Sequence, residues 1–538
     1  MYKIICLLVG SVLLYSCTKL DQNVYSVVPN QNFWSTPEQI AAGVAPAYAS
    51  LTNIPDGDYH DLAEIPGDDM IVPARGSDWL AAGQWIELWQ HKWTATTAQV
   101  QGAWSDIYAG IGKINFILSV VNNLSPAPAN LANINAELKV LRAMYYYWAM
   151  DLYGNVPLVT SFETDASKVT NTPRKDVYAF IEKELKDNIS LVSSDVSKAT
   201  YGRVTKYAGF CTLAKLYLNA QVYTGTAHWQ DAINACDSVI LSGKYSLQSN
   251  YFDNFAVSND NSVENIFVVP FDRNYIGNNN FQMETMHYNN DQNYGIPGGG
   301  WNGYCTNAEF YSNFDTSSVY VVKGNNTYRT YNDARAGQFI IGQQYAEAAT
   351  YPPNTNVLSY STDANLKIKD AQTGMDLSFY PDFDLISSPD AKFRLAGLRS
   401  VKYFPERGVA TSQSNDMVIY RLADVYLMRA EAAVRAGTAS GTDLGYVNAI
   451  RERAYSGDAS HDWTMGDLTL DNLYKERGRE LAWENFRRQD AIRFGTFGLA
   501  RKPQKDADAD DHWQIFPIPA DQHTANPGLV QNPGYAAF

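Results

Sequence analysis

The chain has 538 residues, with 42 Lys plus Arg against 57 Asp plus Glu, a formal charge of −15 at neutral pH. That balance excludes a nucleic-acid surface, which needs a basic face to displace condensed counterions, and the length allows more than one packing unit. Charged residues make up only 18% while aromatics reach 13%, with 36 Tyr and 12 Trp. Amphipathic rings in that excess suit either large helical cores or the recognition of ligands with apolar faces and polar rims.

Residues 1–16 have the form of a signal segment. Lys3 supplies a positive start, Ile4 to Leu14 is apolar and too short to span a bilayer as a stable helix, and Leu14-Tyr15-Ser16-Cys17 follows. Leu-x-small-Cys resembles the bacterial lipobox. Cys17 is therefore expected to carry the acyl chains of a lipoprotein, several of which are needed for durable attachment; the alternative is plain secretory cleavage near Ser16. Residues 17–32 form a polar, lipidated tether. Cys6 departs with the signal, and of the remaining Cys211, Cys236 and Cys305 the first two fall on helical patterns, as small buried residues rather than a disulfide.

From 33 to 250 the pattern is helical. Thr36, Pro37 and Gln39 make a capping box with Pro at the first helical position, and Ile40, Val44, Tyr48 and Leu51 stripe the helix. Pro55 to Trp93 is loop-like, holding Asp68, Asp69, Arg75, Gly76, Asp78, Trp79, Trp85, Trp89 and Trp93, with Trp85 and Trp89 spaced as a short buried helix could be. A long helix follows to about Asn122, striped by Val100, Trp104, Tyr108, Ile111, Asn115 and Leu118. Another carries Leu138, Leu141, Tyr145, Trp148 and Leu152 and closes at Gly154. Thr205 to Tyr223 and Trp229 to Leu241 pair in the manner of a tetratricopeptide repeat, although no strict 34-residue period runs through the chain.

Between 251 and 415 the character changes. Glu264 to Phe271 reads as a strand, Asn274 to Asn293 is rich in Asn, and Tyr294-Gly295-Ile296-Pro297-Gly298-Gly299-Gly300-Trp301-Asn302-Gly303-Tyr304-Cys305 follows. Gly and Asn tolerate positive φ, so this is loop chemistry, and loops this long inside a domain are either functional or disordered.

From 416 to 538 helical spacing returns. Ile419, Leu422, Tyr426 and Arg429 share one face of a helix that runs from Met417 and ends at Gly437; Val447, Ile450 and Arg451 begin a second, and Leu473 to Phe494 reads as a third. The run from Tyr420 to Gly437, the stretch Glu476 to Gly495 and the tail Ile515-Phe516-Pro517-Ile518-Pro519 … Asn526-Pro527-Gly528-Leu529-Val530-Gln531-Asn532-Pro533-Gly534-Tyr535 resemble the SusD/RagB family, outer-surface glycan-binding lipoproteins of Bacteroidetes. Tyr153-Gly154-Asn155-Val156-Pro157 and Asn332-Asp333-Ala334-Arg335 are similar to further motifs of that family. The resemblance implies a mostly α-helical fold, a tetratricopeptide-like scaffold of helical pairs with a loop-rich insertion forming the ligand face. It also implies a SusC-like TonB-dependent transporter as partner, and an arc of aromatics around the ligand. Those regions correspond to Asp69, Arg75, Trp79 and Trp85 on one side and Tyr294, Trp301 and Tyr304 on the other.

The residues themselves point the same way. No His-Glu-x-x-His or Cys-x-x-Cys occurs and the seven His show no ligand spacing, so neither metal nor cofactor is expected. Glu476, Glu480 and Glu484 lie on one helical face, whereas glycosidase carboxylates must flank a bond from two sides; surface or inter-helix ion pairs with nearby Arg are expected instead. Asp506 to Asp511 lacks the Gly and terminal Glu of an EF-hand loop. A sugar ring stacks its C–H face on a flat aromatic and hydrogen-bonds its rim, and both loops supply those residue types. Trp85 and Trp301 are the expected platforms, with Asp69 and Arg75 on the hydroxyls. The chain reads as a cell-surface oligosaccharide-binding lipoprotein of the outer membrane, not an enzyme. The alternatives are a lipid-anchored glycoside hydrolase and a protein that braces the transporter without a ligand site.

Overall fold

The computed structural model describes residues 34, 36–76, 78–165, 168–323, 326–346, 357–360, 366–385 and 391–538. Cys17 and the tether lie outside them. The architecture is predominantly helical, built from packed helix pairs.

Helix α1 (Pro37–Ala49) has the expected capping box, with Thr36 accepting from the Gln39 amide and Gln39 reaching back to the Thr36 N–H. After α2 (Asp58–Glu64), the short α3 (Gln84–Gln90) carries Trp85 and Trp89. The long antiparallel neighbours α4 (Ala98–Asn122) and α5 (Leu131–Tyr153) come next, and Gly154 ends α5 at a φ of 68°. From Glu137 to Tyr153 every residue of α5 except Lys139 is buried, because α4 and α6 (Arg174–Asn188) cover two of its faces. Helices α7 (Lys206–Leu218) and α8 (Trp229–Ile240) form the expected pair, with Cys211 and Cys236 buried and unbonded.

Strand β1 (Asn265–Val269) falls where the sequence places it, and α9 (Phe281–Thr285) follows in the loop-rich region. Strands β2 (Ser318–Lys323), β3 (Asn326–Tyr331) and β4 (Val357–Tyr360) make a small antiparallel sheet. Two sequence expectations are corrected in the C-terminal part. Residues Met417–Arg421 are strand β5, paired antiparallel with β1, and only then does α10 (Leu422–Ala436) begin. All five residues of β5 are buried, and a fully buried strand has no alternation to distinguish it from helix. Gly437 caps α10 in the left-handed region, as expected. After α11 (Gly441–Ala454), the helix expected from Leu473 to Phe494 is two, α12 (Leu470–Leu481) and α13 (Arg487–Phe494). Between them Trp483 and Asn485 adopt φ of 61° and 70°. Helix α8 packs on both α7 and α10, and α10 packs on α11 and α12. Ala423, Leu427 and Ala430 of α10 meet Val447 and Ile450 of α11 and Leu473 and Leu481 of α12 in a second apolar core. The small residues let the helices approach closely.

The charged row of α12 lies inside the protein. Arg421 donates to Glu484 at 2.7 Å and to Glu264 at 2.9 Å, and also bonds Glu480. Arg335 reaches Asp333, Glu476 and Glu480 at 2.9, 2.7 and 3.0 Å. Arg451 joins Glu476, Arg453 joins Glu480 and Glu264, and Lys402 joins Glu484. Burial opposes ionisation of Glu476 and Glu480, yet the surrounding guanidiniums overcome it and hold both carboxyls well below the usual range. Burial pulls the Lys402 ammonium down to about 8. The Asp-x-Arg motif and the Glu row are thus one inter-element ion network linking β1, β5, α11 and α12.

Candidate functional site

Two loops far apart in sequence meet beside α9. The first is a tight turn in which Arg75 and Asp78 exchange backbone hydrogen bonds at 3.0 and 3.2 Å. It projects Asp78, Trp79 and the exposed Leu80. The second is the Gly-rich loop, whose Trp301 N–H and Asn302 N–H donate to the carbonyls of Met283 and Met286. The Trp79 indole N–H donates to the Trp301 carbonyl at 2.7 Å. Gly303 makes the approach possible: a Cβ there would stand 2.5 Å from the Trp79 ring. Trp79, Ala81, Ala82 and Asn302 all have positive φ, of 57°, 37°, 55° and 61°. Non-glycine residues held in that region cost about 1 kcal/mol or more each and concentrate at ligand sites.

The sequence-predicted site residues divide by exposure. Trp301 is 37% exposed and Trp79 half-buried. Trp85, at 9%, packs edge-on beneath Trp79 with ring centroids 5.4 Å apart, and Tyr304 lies 6.4 Å from both. Tyr304 is buried and donates its hydroxyl to Asp61 at 2.7 Å. Tyr294 is buried against Phe404. These three rings lie beneath the surface, so the structure gives Trp85 no open face for stacking; Trp79 lies above it.

Asp69 and Arg75 are corrected as well. Asp69 is fully buried; its carboxylate accepts from the Trp483 N–H at 3.1 Å and its carbonyl from the Trp483 indole at 3.0 Å. Burial pushes its carboxyl up to about 7. Arg75, 3% exposed, spends its guanidinium on the carbonyls of Asn302, Gly303 and Ala396 and on the Cys305 sulfur. It clasps the two loops together. Both side chains hold the site from behind.

Next to Trp79 in the chain, Asp78 gathers two polar groups, Tyr288 and Arg394. Asp78 Oδ2 accepts from the Tyr288 hydroxyl at 3.1 Å and from Arg394 at 2.9 Å. Arg394 also binds Asp370 at 2.8 Å and lies over the Tyr288 ring, 4.9 Å from its centroid. In the sequence Asp78 stands out only as part of its loop, with adjacency to Trp79 as the available signal. Nothing in the sequence set Tyr288 or Arg394 apart. An exposed ring flanked by a carboxylate, a phenol and a guanidinium can stack one sugar face and bond its rim.

A separate surface cleft of about 700 Å³ lies at the other end of α3, lined by Glu309, Asp382, Phe383, Arg501, Lys502 and Pro503 among others. Trp89 reaches it through an indole hydrogen bond to the Pro503 carbonyl at 2.7 Å. Among the described residues no group of His, Cys, Asp or Glu could hold a metal ion, and no helix is long and apolar enough to cross a membrane. Asp508, in the acidic run of 506–511, pairs with His91 and Lys505 at 2.7 Å each.

Comparison with known proteins decides the family. Residues 263–535 match the model described as the SusD family, and residues 20–218 match a model described as starch-binding associating with outer membrane. The chain belongs to the SusD family. It is 26% identical over 473 residues to the starch-binding protein SusD of Bacteroides thetaiotaomicron, covering 84% of this chain and 81% of that protein. It is 24% identical over 504 residues to the SusD-like protein P25 of Formosa agariphila, covering 89% and 87%. Among solved structures, a laminarin binding SusD-like protein superposes with a TM-score of 0.67 at 21% identity, over 93% of this chain and all of that one. The surface glycan-binding protein A of B. thetaiotaomicron in complex with laminarihexaose gives 0.67 at 19% over the same shares. These SusD-family structures share the fold described above.

Proposed function

We propose that this chain is a non-catalytic oligosaccharide-binding protein of the cell surface that captures glycan and passes it to a SusC-like TonB-dependent transporter. The observation that carries the reading is the Trp79–Trp301 platform. A SusD-family chain strains four non-glycine residues where two distant loops meet, the Trp79 indole bonding the Trp301 backbone with Asp78, Tyr288 and Arg394 nearby. The relatives named for starch, laminarin and laminarihexaose support a glycan as ligand. Lipidation of Cys17 would hold the protein at the outer membrane. In this reading residues 33–250 and 416–538 supply a tetratricopeptide-like scaffold, and 251–415 most of the binding face.

The fate of the candidate acids supports binding over hydrolysis. Glu476, Glu480 and Glu484 are at most 2% exposed and each is ion-paired, whereas a glycosidase needs two carboxylates facing one accessible bond. The test is native affinity electrophoresis against plant, fructan, α-glucan, mucin and yeast polysaccharides, with reducing-sugar release measured alongside. Retardation by at least one polymer without sugar release is expected. Sugar release would favour a hydrolase, and unaltered migration in every gel would favour a protein that only braces the transporter.

A further inference from the structure

Asp78 is the most exposed member of the Asp78–Arg394–Asp370 ion cluster. Its side chain is 27% exposed, against 13% for Arg394 and 1% for Asp370. Both internal bonds to Asp78, from Tyr288 and Arg394, fall on Oδ2. Oδ1 accepts from no described residue, so a carboxylate oxygen of fixed orientation stands beside Trp79 and Trp301 with its lone pairs unspent. Such an oxygen accepts hydroxyl hydrogens strongly and repels anions.

The guanidinium that faces Asp78 is already paired. Each of the three guanidinium nitrogens of Arg394 is engaged, Nη1 by Asp78 and Nε and Nη2 by Asp370 at 2.8 and 3.3 Å. Arg75 and Arg399 carry charge beneath the loop, but both are buried and donate to carbonyl oxygens, to Asn302 and to Cys305. Lys392, in the turn before Arg394, has its own interaction within the protein. Burial pulls His287 down to about 3, so it is neutral. Residues 77 and 386–390, which adjoin this cluster in the chain outside the described residues, include no Lys or Arg. A uronate or sulfate ester needs paired N–H donors to repay its desolvation, and Arg394 already spends three of its N–H groups on the two carboxylates of Asp78 and Asp370.

We infer that Asp78 is a sugar-hydroxyl acceptor and that the platform selects neutral glycans over uronate- or sulfate-bearing ones. This rests on the glycan-binding reading above.

The test is affinity electrophoresis of the wild-type chain, Trp301→Ala and Asp78→Asn in gels holding mixed-linkage β-glucan, amylopectin, yeast mannan, polygalacturonate or dextran sulfate. The expected result is retardation of wild type by a neutral polymer, weakened at least several-fold by either substitution, and no Trp301-dependent retardation by the polyanions. Asp78→Asn keeps an oxygen for Tyr288 and Arg394, so its melt should match wild type, but it removes the negative charge that repels anions and should gain salt-sensitive retardation by a polyanion. Polyanion retardation of wild type that Trp301→Ala abolishes would overturn the inference while leaving glycan binding intact. So would an Asp78→Asn protein that binds the neutral polymer like wild type, or one that gains nothing on polyanions. Polyanion binding that survives Trp301→Ala belongs elsewhere, for example at Lys502 in the cleft by α3, and leaves the neutral-polymer arm to decide. If no polymer retards wild type in a Trp301-dependent way, the glycan reading itself fails and this inference with it.

Discussion

The indole N–H of Trp79 donates to the backbone carbonyl of Trp301 at 2.7 Å, across 222 residues of sequence. One hydrogen bond thereby ties the Trp79 ring to the backbone of the Gly-rich loop and links the two loops. Trp79→Phe keeps a ring but removes the donor. A single hydrogen bond is worth about 1 kcal/mol, so glycan affinity should fall about fivefold while the melting temperature moves little. Calorimetric titration and a thermal melt check both halves.

Glu480 is bound by Arg335, Arg421 and Arg453. Glu480→Gln should therefore act on stability alone. Removing one partner of a buried ion cluster strands the others and costs about 3–5 kcal/mol, which a urea melt would read as a marked fall in midpoint. No hydrolytic activity should exist to be lost. Wild-type turnover abolished by this change would contradict the non-catalytic reading.

Stability should depend on pH through Glu284, which lies on α9 beneath the Gly-rich loop. Burial, with the nearby Asp56 charge, pushes its carboxyl up to about 8, from 4.5. The folded state thus binds the proton more tightly than the unfolded state. Its contribution is fully present below about 4.5 and is lost as pH rises toward 8. Glu284→Gln should raise the melting temperature relative to wild type increasingly from pH 5 to pH 8. A difference that is constant over that range would contradict the assignment.

Attachment should depend on Cys17, the last residue of the Leu14–Cys17 motif. Cys17→Ala should leave a folded chain that no longer partitions with membranes, because acyl-chain burial is lost. Detergent partition of cell fractions measures this; unchanged membrane recovery would sink the lipoprotein assignment.

Much of the scaffold was legible in the sequence because its signals are local. The capping box at Thr36 and the glycine ends at Gly154 and Gly437 depend on a few adjacent residues. What failed was decided at long range. The break between α12 and α13 is held by the Asp69 bonds to Trp483, by His60 on Asn485 and by Glu64 on the Phe486 N–H, all from the other end of the chain. The site was legible as two loops but not as side chains. Composition shows that Asp, Arg and Trp are present; it does not say that Asp69 and Arg75 turn inward while Asp78 turns out. The same chemistry that suits a sugar rim also suits the carbonyls and indoles of a buried clasp.

Glycan capture as proposed depends on Trp301 as a stacking platform on an otherwise self-sufficient fold. Isothermal titration of wild type and Trp301→Ala with the glycan found by affinity electrophoresis tests it most directly, with a thermal melt of each sample. A stacked aromatic contributes about 1 kcal/mol or more, and an exposed ring supports little core. At least fivefold weaker binding at a nearly unchanged melting temperature is expected. Wild-type affinity in Trp301→Ala, or affinity lost only together with a large drop in melting temperature, would contradict it.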